Sequence, residues 1–129
     1  VTRTTTDIFP GLVIESFTLT SDAGGNVVAN LQKIQGTILR ATFRPNPDGV
    51  TTPTAAYDVT LKDQDLFDVL TANGANLSAT ATTAHACFIT NAAANAYIPI
   101  VTFGDLSLNA SAMGASKKTI LRLFIRPVF

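Results

Sequence analysis

The chain has 129 residues, no net formal charge and 14% charged residues, against roughly 25% in typical soluble domains. Its length suits one domain with a core of its own, and its few charges argue against direct nucleic-acid binding and against a polybasic membrane contact. A neutral, charge-poor surface favours association between protein chains, so we expect a homo-oligomer.

Residues 1–10 are rich in threonine and end in Phe9-Pro10, which predicts an extended N-terminal arm. Such an arm either docks on a neighbouring subunit or frays. The rest of the chain, residues 11–129, is expected to form a single domain. Within it, the alternating pattern of residues 12–34 is interrupted by the turn-forming segment 21–26, which predicts a β-hairpin.

Two further alternating patterns predict strands at 36–44 and 55–62, and they flank a loop that contains three prolines. We expect these two strands to form a central pair. The residues predicted to face inward are Leu39, Ala41, Phe43, Tyr57, Val59 and Leu61.

A cluster of aspartates, Asp63, Asp65 and Asp68, follows the second of these strands. The helical spacing of the apolar residues in segment 63–75 predicts at most one short helix, capped by Asp63 or Asp65. Alternate carboxylates can also surround Ca²⁺, but the cluster lacks the central glycine and the terminal glutamate of a helix-loop-helix calcium site. Capping or solvated loop acids are therefore favoured, and no metal or cofactor is expected.

Residues 69–104 contain no Asp, Glu, Lys or Arg. Strands are predicted near 82–90 and 97–103. Because uncharged small residues are easily desolvated, a subunit interface is favoured here over a loop-rich sandwich edge.

The single cysteine, Cys87, lies in an apolar run and is predicted to be a small buried hydrophobe. A nucleophilic pair with the single histidine, His85, has no acidic residue nearby in sequence to orient it. No other constellation suggests catalysis, so we expect no enzymatic activity and no catalytic residues.

Short strands are predicted at 105–109 and 118–126, the latter with Leu121, Leu123 and Ile125 on one face. Its other face is partly apolar, which is typical of a central or covered strand. Together the patterns predict an all-β fold, an antiparallel sandwich or jelly roll of seven to eight short strands.

Four arginines recur at i, i+4 spacing on two strands: Arg40, Arg44, Arg122 and Arg126. If the strands are neighbours, these side chains form a stripe on one sheet face. Cross-strand pairing with Asp58 and Asp105 is favoured. The alternative is contact with acidic residues of another subunit.

Several segments resemble small structural proteins of tailed bacteriophages: Ile38-Leu39-Arg40, residues 55–63, Asp68-Val69-Leu70, Gly74-Ala75-Asn76 and the C-terminal strand 118–125. The resemblance implies a virion component at the capsid surface. Specifically, it implies a head decoration (cement) protein, a dimer or trimer that bridges major capsid protein subunits. A neck or tail protein is the neighbouring alternative. A carbohydrate- or receptor-binding β-module is a rival from another class, against which stand the absence of Trp and the presence of only two Tyr.

Overall fold

A computed structural model describes the backbone of residues 1–9, 11–90, 93 and 96–127, and the side chains of all of these except 7–9. The described residues form ten β-strands and no helix, so no helix among them could span a membrane. The strands are β1 (Thr2–Phe9), β2 (Leu12–Thr20), β3 (Val27–Leu31), β4 (Gly36–Pro45), β5 (Asp58–Lys62), β6 (Thr83–Ala86), β7 (Phe88–Thr90), β8 (Tyr97–Thr102), β9 (Leu106–Ser111) and β10 (Lys118–Arg126).

The strands form two antiparallel sheets. The first has seven strands in the order β1-β2-β10-β4-β8-β7, with β6 also paired to β4, and the second has the order β3-β9-β5. Buried residues of both sheets form one apolar cluster, so the predicted all-β sandwich-like fold is confirmed. The strand number exceeds the predicted seven or eight for two reasons. Residues 2–9 form β1, paired with β2, and the predicted strand 82–90 is divided at Cys87.

The last strand, β10, holds the first sheet together. It pairs with β2 on one side and with β4 on the other, as expected for a strand with apolar residues on both faces. Leu121, Leu123 and Ile125 are buried, which confirms the predicted alternation, while Arg122 between them is exposed.

Strand β4 contains an irregularity that the alternation did not reveal. Phe124 lies opposite Arg40, but the next residue of β10, Ile125, lies opposite Ile38, so Leu39 has no partner on β10. The extra residue is a β-bulge, which changes the face to which side chains point. Leu39 is 42% exposed and Ile38 is buried, so the predicted inward orientation of Leu39 is wrong. Those of Ala41 and Phe43 are confirmed.

The predicted hairpin over residues 12–34 is wrong, because β2 belongs to the first sheet and β3 to the second. Segment 21–26 crosses between the sheets instead of turning within one. The hydroxyl of the buried Ser21 accepts a hydrogen bond from the Lys117 backbone N–H at 2.8 Å. Gly25 has φ +82° and its Cα approaches Gly114 so closely that a Cβ would lie 2.9 Å from the Gly114 nitrogen. Contacts with a distant turn therefore direct the chain across the sandwich.

Strands β4 and β5 likewise lie in different sheets, so the predicted central pair is wrong. Buried residues of both strands belong to one apolar cluster, in which Tyr57, Val59 and Leu61 are buried as predicted. The Tyr57 hydroxyl lies 2.8 Å from the hydroxyl of Thr119 on β10, and Thr119 donates to the Arg44 carbonyl at 3.2 Å. This buried chain of hydrogen bonds connects the two sheets.

Candidate interface

The aspartate cluster organises turns, and no helix forms in residues 63–75. Asp63 Oδ1 accepts the backbone N–H groups of Asp65 at 2.9 Å and Phe67 at 3.0 Å. The carboxylate of Asp68 accepts three backbone N–H groups, from Leu61, Leu70 and Ala72, each at 3.1 Å. Carboxylates that bind nearby N–H groups in this way compete with helix formation. Segment 63–75 contains no helix, which is within the prediction of at most one short helix, and the interpretation as loop acids is confirmed for Asp63 and Asp68.

Segment Asp65-Leu66-Phe67, called the tip below, is the exposed part of this turn. Leu66 is 76% exposed and Phe67 is 39% exposed. Asp65 is also exposed, and its carboxylate accepts no hydrogen bond from the described residues. Within that same part of the chain, no group of three or more His, Cys, Asp or Glu side chains could hold a metal ion.

Cys87 is buried and its thiol is free, as the sequence predicted. Burial, with a smaller contribution from the charge of Asp68, raises the pKa of the Cys87 thiol to about 11. The thiol is therefore protonated near neutral pH, whereas a nucleophilic cysteine requires a lowered pKa. His85 packs its ring against Phe43, with centroids 6.5 Å apart. The buried, protonated thiol of Cys87 therefore has a packing role.

A projecting hairpin forms the most exposed apolar element of the first sheet. Strand β6 follows the edge of β4 as far as the pair Arg40–Ala86, and β8 resumes along the same edge at the pair Ile38–Ile100. Between these points the chain leaves β4, and β7 pairs with Tyr97–Pro99. We call β7 and Tyr97–Pro99 the projecting hairpin.

Both faces of the projecting hairpin carry apolar side chains. Phe88 and Tyr97 meet edge to face on one side, with ring centroids 4.8 Å apart and planes at 81°. Ile89 and Ile98 lie opposite each other on the other face. Tyr97 is 67% exposed and Ile98 50% exposed, whereas Ile100 belongs to the buried core. The core therefore begins at Ile100, and the residues of β8 that precede it are exposed.

The exposed apolar side chains extend past the hairpin toward the end of β8. Val101 is 49% exposed and Phe103 is 64% exposed. We call the whole set the apolar patch: Phe88, Ile89, Tyr97, Ile98, Val101 and Phe103. Exposed apolar side chains grouped in this way mark interaction surfaces in soluble proteins. All of these residues lie in the uncharged segment 69–104, which was predicted to be a subunit interface. The apolar patch is the exposed part of that segment best suited to such a contact, and the interface itself stays a prediction.

The predicted arginine stripe forms on the outer face of the first sheet, because β4 and β10 are neighbours. Its members Arg40, Arg44, Arg122 and Arg126 are all exposed. The guanidinium carbon of Arg40 lies 4.0 Å from the centroid of the Phe124 ring, a cation–π contact. We call these four arginines, with the half-buried Phe124 and Ile120 between them, the arginine face.

The arginines are not paired with the predicted carboxylates. The side chain of Asp58 accepts the Asn76 backbone N–H at 2.8 Å, and that of Asp105 accepts the Lys33 backbone N–H at 3.1 Å. Both belong to the side of the molecule formed by the second sheet and its loops, so the prediction of cross-strand pairing is wrong. Among the described residues the salt bridges are Arg3–Glu15 and Lys118–Asp48, and neither contains an arginine of the arginine face.

Comparisons of the chain with protein-family models, curated protein sequences and solved structures find no match. The resemblance to phage structural proteins therefore depends on the sequence segments alone. Sequence reasoning identified segment 69–104 but missed the tip and the projection of the hairpin. One signal was present: Pro99 within the apolar run 97–101 indicates an edge strand, because proline donates no ladder hydrogen bond.

Proposed function

We propose that this chain is a non-enzymatic structural protein of a tailed-phage virion, a head decoration protein that self-associates and bridges major capsid protein subunits. The observation that carries the proposal is the apolar patch, which covers the projecting hairpin and continues through Val101 to Phe103 within an uncharged segment. The segments that resemble phage structural proteins supply the virion context.

The patch is suited to protein association because the segment that carries it, residues 69–104, contains no charged side chain of its own. An aromatic side chain buries about 150–250 Å², and apolar area contributes about 25 cal/mol per Å². Tyr97 and Phe103 are each about two-thirds exposed, so each could contribute on the order of 2–3 kcal/mol to association. No carboxylate or ammonium within residues 69–104 opposes this gain.

A second surface of the proposed contact lies at the opposite edge of the first sheet. Residues 2–9, predicted as an arm, pair with β2 of their own chain, so β1 offers a partner its outer backbone edge. An exposed strand edge presents unpaired N–H and C=O groups that another strand can complete. We propose both edges of this sheet, β1 and the projecting hairpin, as contact surfaces.

The proposed stabilisation of the head follows from mass action. A protein that binds the assembled shell, and not its separated subunits, lowers the free energy of the assembled state by an amount that grows with its concentration. The shell then withstands higher temperatures when the chain is bound.

The test is co-sedimentation of the purified chain with intact heads of the phage that encodes it, prepared without the chain, followed by heating. We expect binding and a raised temperature of DNA release. A Tyr97→Ser/Phe103→Ser variant should bind at least about tenfold more weakly, because each substitution removes about 2–3 kcal/mol of apolar burial, of which only a part appears as affinity. The matched control Val28→Ser removes an apolar residue that is 79% exposed on β3 and should bind normally.

Three results would contradict the proposal. If the chain sediments with tail fragments and not with heads, the head assignment is wrong. If it sediments with polysaccharide, a binding module is the better description. If the serine variant of the patch binds heads as well as the unchanged chain does, the patch is not the contact surface.

A further inference from the structure

The arginine face is an unusual surface for a chain with so few charges. The outer face of β4 and β10 carries no carboxylate beside these four guanidinium groups. Within the described residues, none of the four donates a hydrogen bond. The half-buried Phe124 and Ile120 lie between them. A surface that combines unpaired cations with apolar side chains is typical of the Arg-rich core of a protein interface.

The chemistry of this face restricts its partner. Two arginine faces placed against each other would bring like charges together, which costs several kcal/mol. The partner surface must therefore carry carboxylates and, to cover Phe124 and Ile120, an apolar side chain. Guanidinium groups form their strongest contacts with carboxylates, which they can bind through two N–H groups.

The tip has these properties. It presents the free carboxylate of Asp65 next to Leu66, whose side chain is 76% exposed. Its backbone is fixed before binding, because Asp63 accepts N–H groups from both ends of the turn and the Leu66 N–H donates to the Asp63 carbonyl at 3.1 Å. A preorganised loop loses little conformational entropy when it docks.

The position of the tip also suits an interface. Asp63, Gln64 and Asp65 line a shallow cavity of about 160 Å³ together with residues 101–103, so the tip adjoins the end of the apolar patch. A partner that receives the tip would therefore also cover Val101 and Phe103. The negative tip and the positive arginine face belong to one chain whose net formal charge is zero.

We infer that the tip of one copy docks on the arginine face of a second copy, with Asp65 contacting the guanidinium groups and Leu66 covering Phe124 and Ile120. This inference depends on the self-association in the proposed function and names its charged contact. The assembly is a reciprocal dimer, in which the tip of each copy docks on the arginine face of the other.

The experiment uses charge exchange, read by sedimentation velocity and supported by thermal unfolding of each variant. Arg122→Glu and Asp65→Arg alter two exposed side chains, so both variants should fold. Each alone should self-associate at least about tenfold more weakly than the unchanged chain, and added NaCl should weaken association of the unchanged chain. The control Lys62→Glu reverses an exposed cation on β5, on the same side of the contact as the tip, so it should not weaken association.

The decisive measurement is the association of the two variants when they are mixed. An equimolar mixture of Arg122→Glu and Asp65→Arg places Glu opposite Arg at one contact and Arg opposite Asp at the other, so association should recover to within about threefold of the unchanged chain. Failure to recover overturns the inference, as does an unchanged chain that stays monomeric at all accessible concentrations.

The head-binding assay separates this inference from the proposed function. If Arg122→Glu self-associates normally but no longer sediments with heads, the arginine face contacts the shell, and the inference is wrong while the proposed function stands. If the charge exchange works but the chain never binds heads, the inference stands and the proposed function fails.

Discussion

The hydrogen-bond chain from Tyr57 through Thr119 to the Arg44 carbonyl should be energetically coupled. Tyr57 and Thr119 are fully buried. The single hydroxyl hydrogen of Thr119 is directed at the Arg44 carbonyl, so the Tyr57 hydroxyl must donate to Thr119 Oγ1. Replacing either side chain alone therefore has consequences different from replacing both.

The expected magnitudes follow from which polar groups are left without partners. Tyr57→Phe removes one donor and leaves the bond from Thr119 to Arg44, so it should lower the free energy of unfolding by about 1 kcal/mol. Thr119→Val leaves the buried Tyr57 hydroxyl and the Arg44 carbonyl without this partner, and it should cost about 2–3 kcal/mol. In the double variant no tyrosine hydroxyl is left unsatisfied, so its cost should be about 1–2 kcal/mol less than the sum.

Urea unfolding of the four proteins, followed by far-UV circular dichroism, measures this coupling. The m-values should agree among the variants, because the substitutions preserve shape and do not alter the surface exposed on unfolding. If the two single costs add to within about 0.5 kcal/mol of the double cost, the hydroxyls do not act as a linked pair and the reasoning is refuted.

Three further tests of the local assignments use the same unfolding measurement. Asp68→Ala removes the acceptor of three backbone N–H groups and should cost about 2–3 kcal/mol, whereas Asp65→Ala should change stability by less than about 0.5 kcal/mol; equal effects would contradict the assigned roles. Gly74→Ala should lower the free energy of unfolding by about 3 kcal/mol, because the added Cβ would overlap a backbone carbonyl oxygen of β5. Gly49→Ala should lower it by only about 1 kcal/mol, because the space around Gly49 is open and only its φ of +78° disfavours alanine. The raised pKa of Cys87 means that the unfolded chain loses its thiol proton first, so stability should fall as the pH rises from 9.0 to about 11. Burial also raises the pKa of Tyr57, so Cys87→Ala should still show a fall, but one smaller by about 2–3 kcal/mol; an identical pH profile for both proteins would show that the thiol is not responsible.

Residue alternation predicted most of the strands but not their partners. The period-two pattern of β10 predicted both its bounds and its buried face, because its side chains meet the core on one side only. The same kind of pattern in β2 and β3 suggested a hairpin, since nothing in residues 12–34 reveals the contacts of Ser21 and Gly25 with a turn some ninety positions later. Pairing across that separation depends on the whole core.

The candidate interface was predictable only in outline. The absence of charge in segment 69–104 indicated a surface for contact, but the bulge at Leu39 and the departure of β7 from β4 depend on register, which alternation does not specify. The helical spacing of Leu66, Val69 and Leu70 suggested a helix in segment 63–75. The side chains of Asp63 and Asp68 instead accept backbone N–H groups of this segment in turns.

Strands β6 and β8 share one edge of β4, and this arrangement has a consequence for amide hydrogen exchange. Strand β8 is joined to β4 only through the pairs at Gly36, Thr37 and Ile38, whereas β10 is paired along its length on both sides. A short ladder can open locally at a small part of the free energy required for global unfolding. Amides of Phe88–Thr90 should therefore exchange with solvent while those of β10 are still protected. The projecting hairpin can adjust to a partner while the sandwich stays folded, and binding should be visible as slower exchange at these amides.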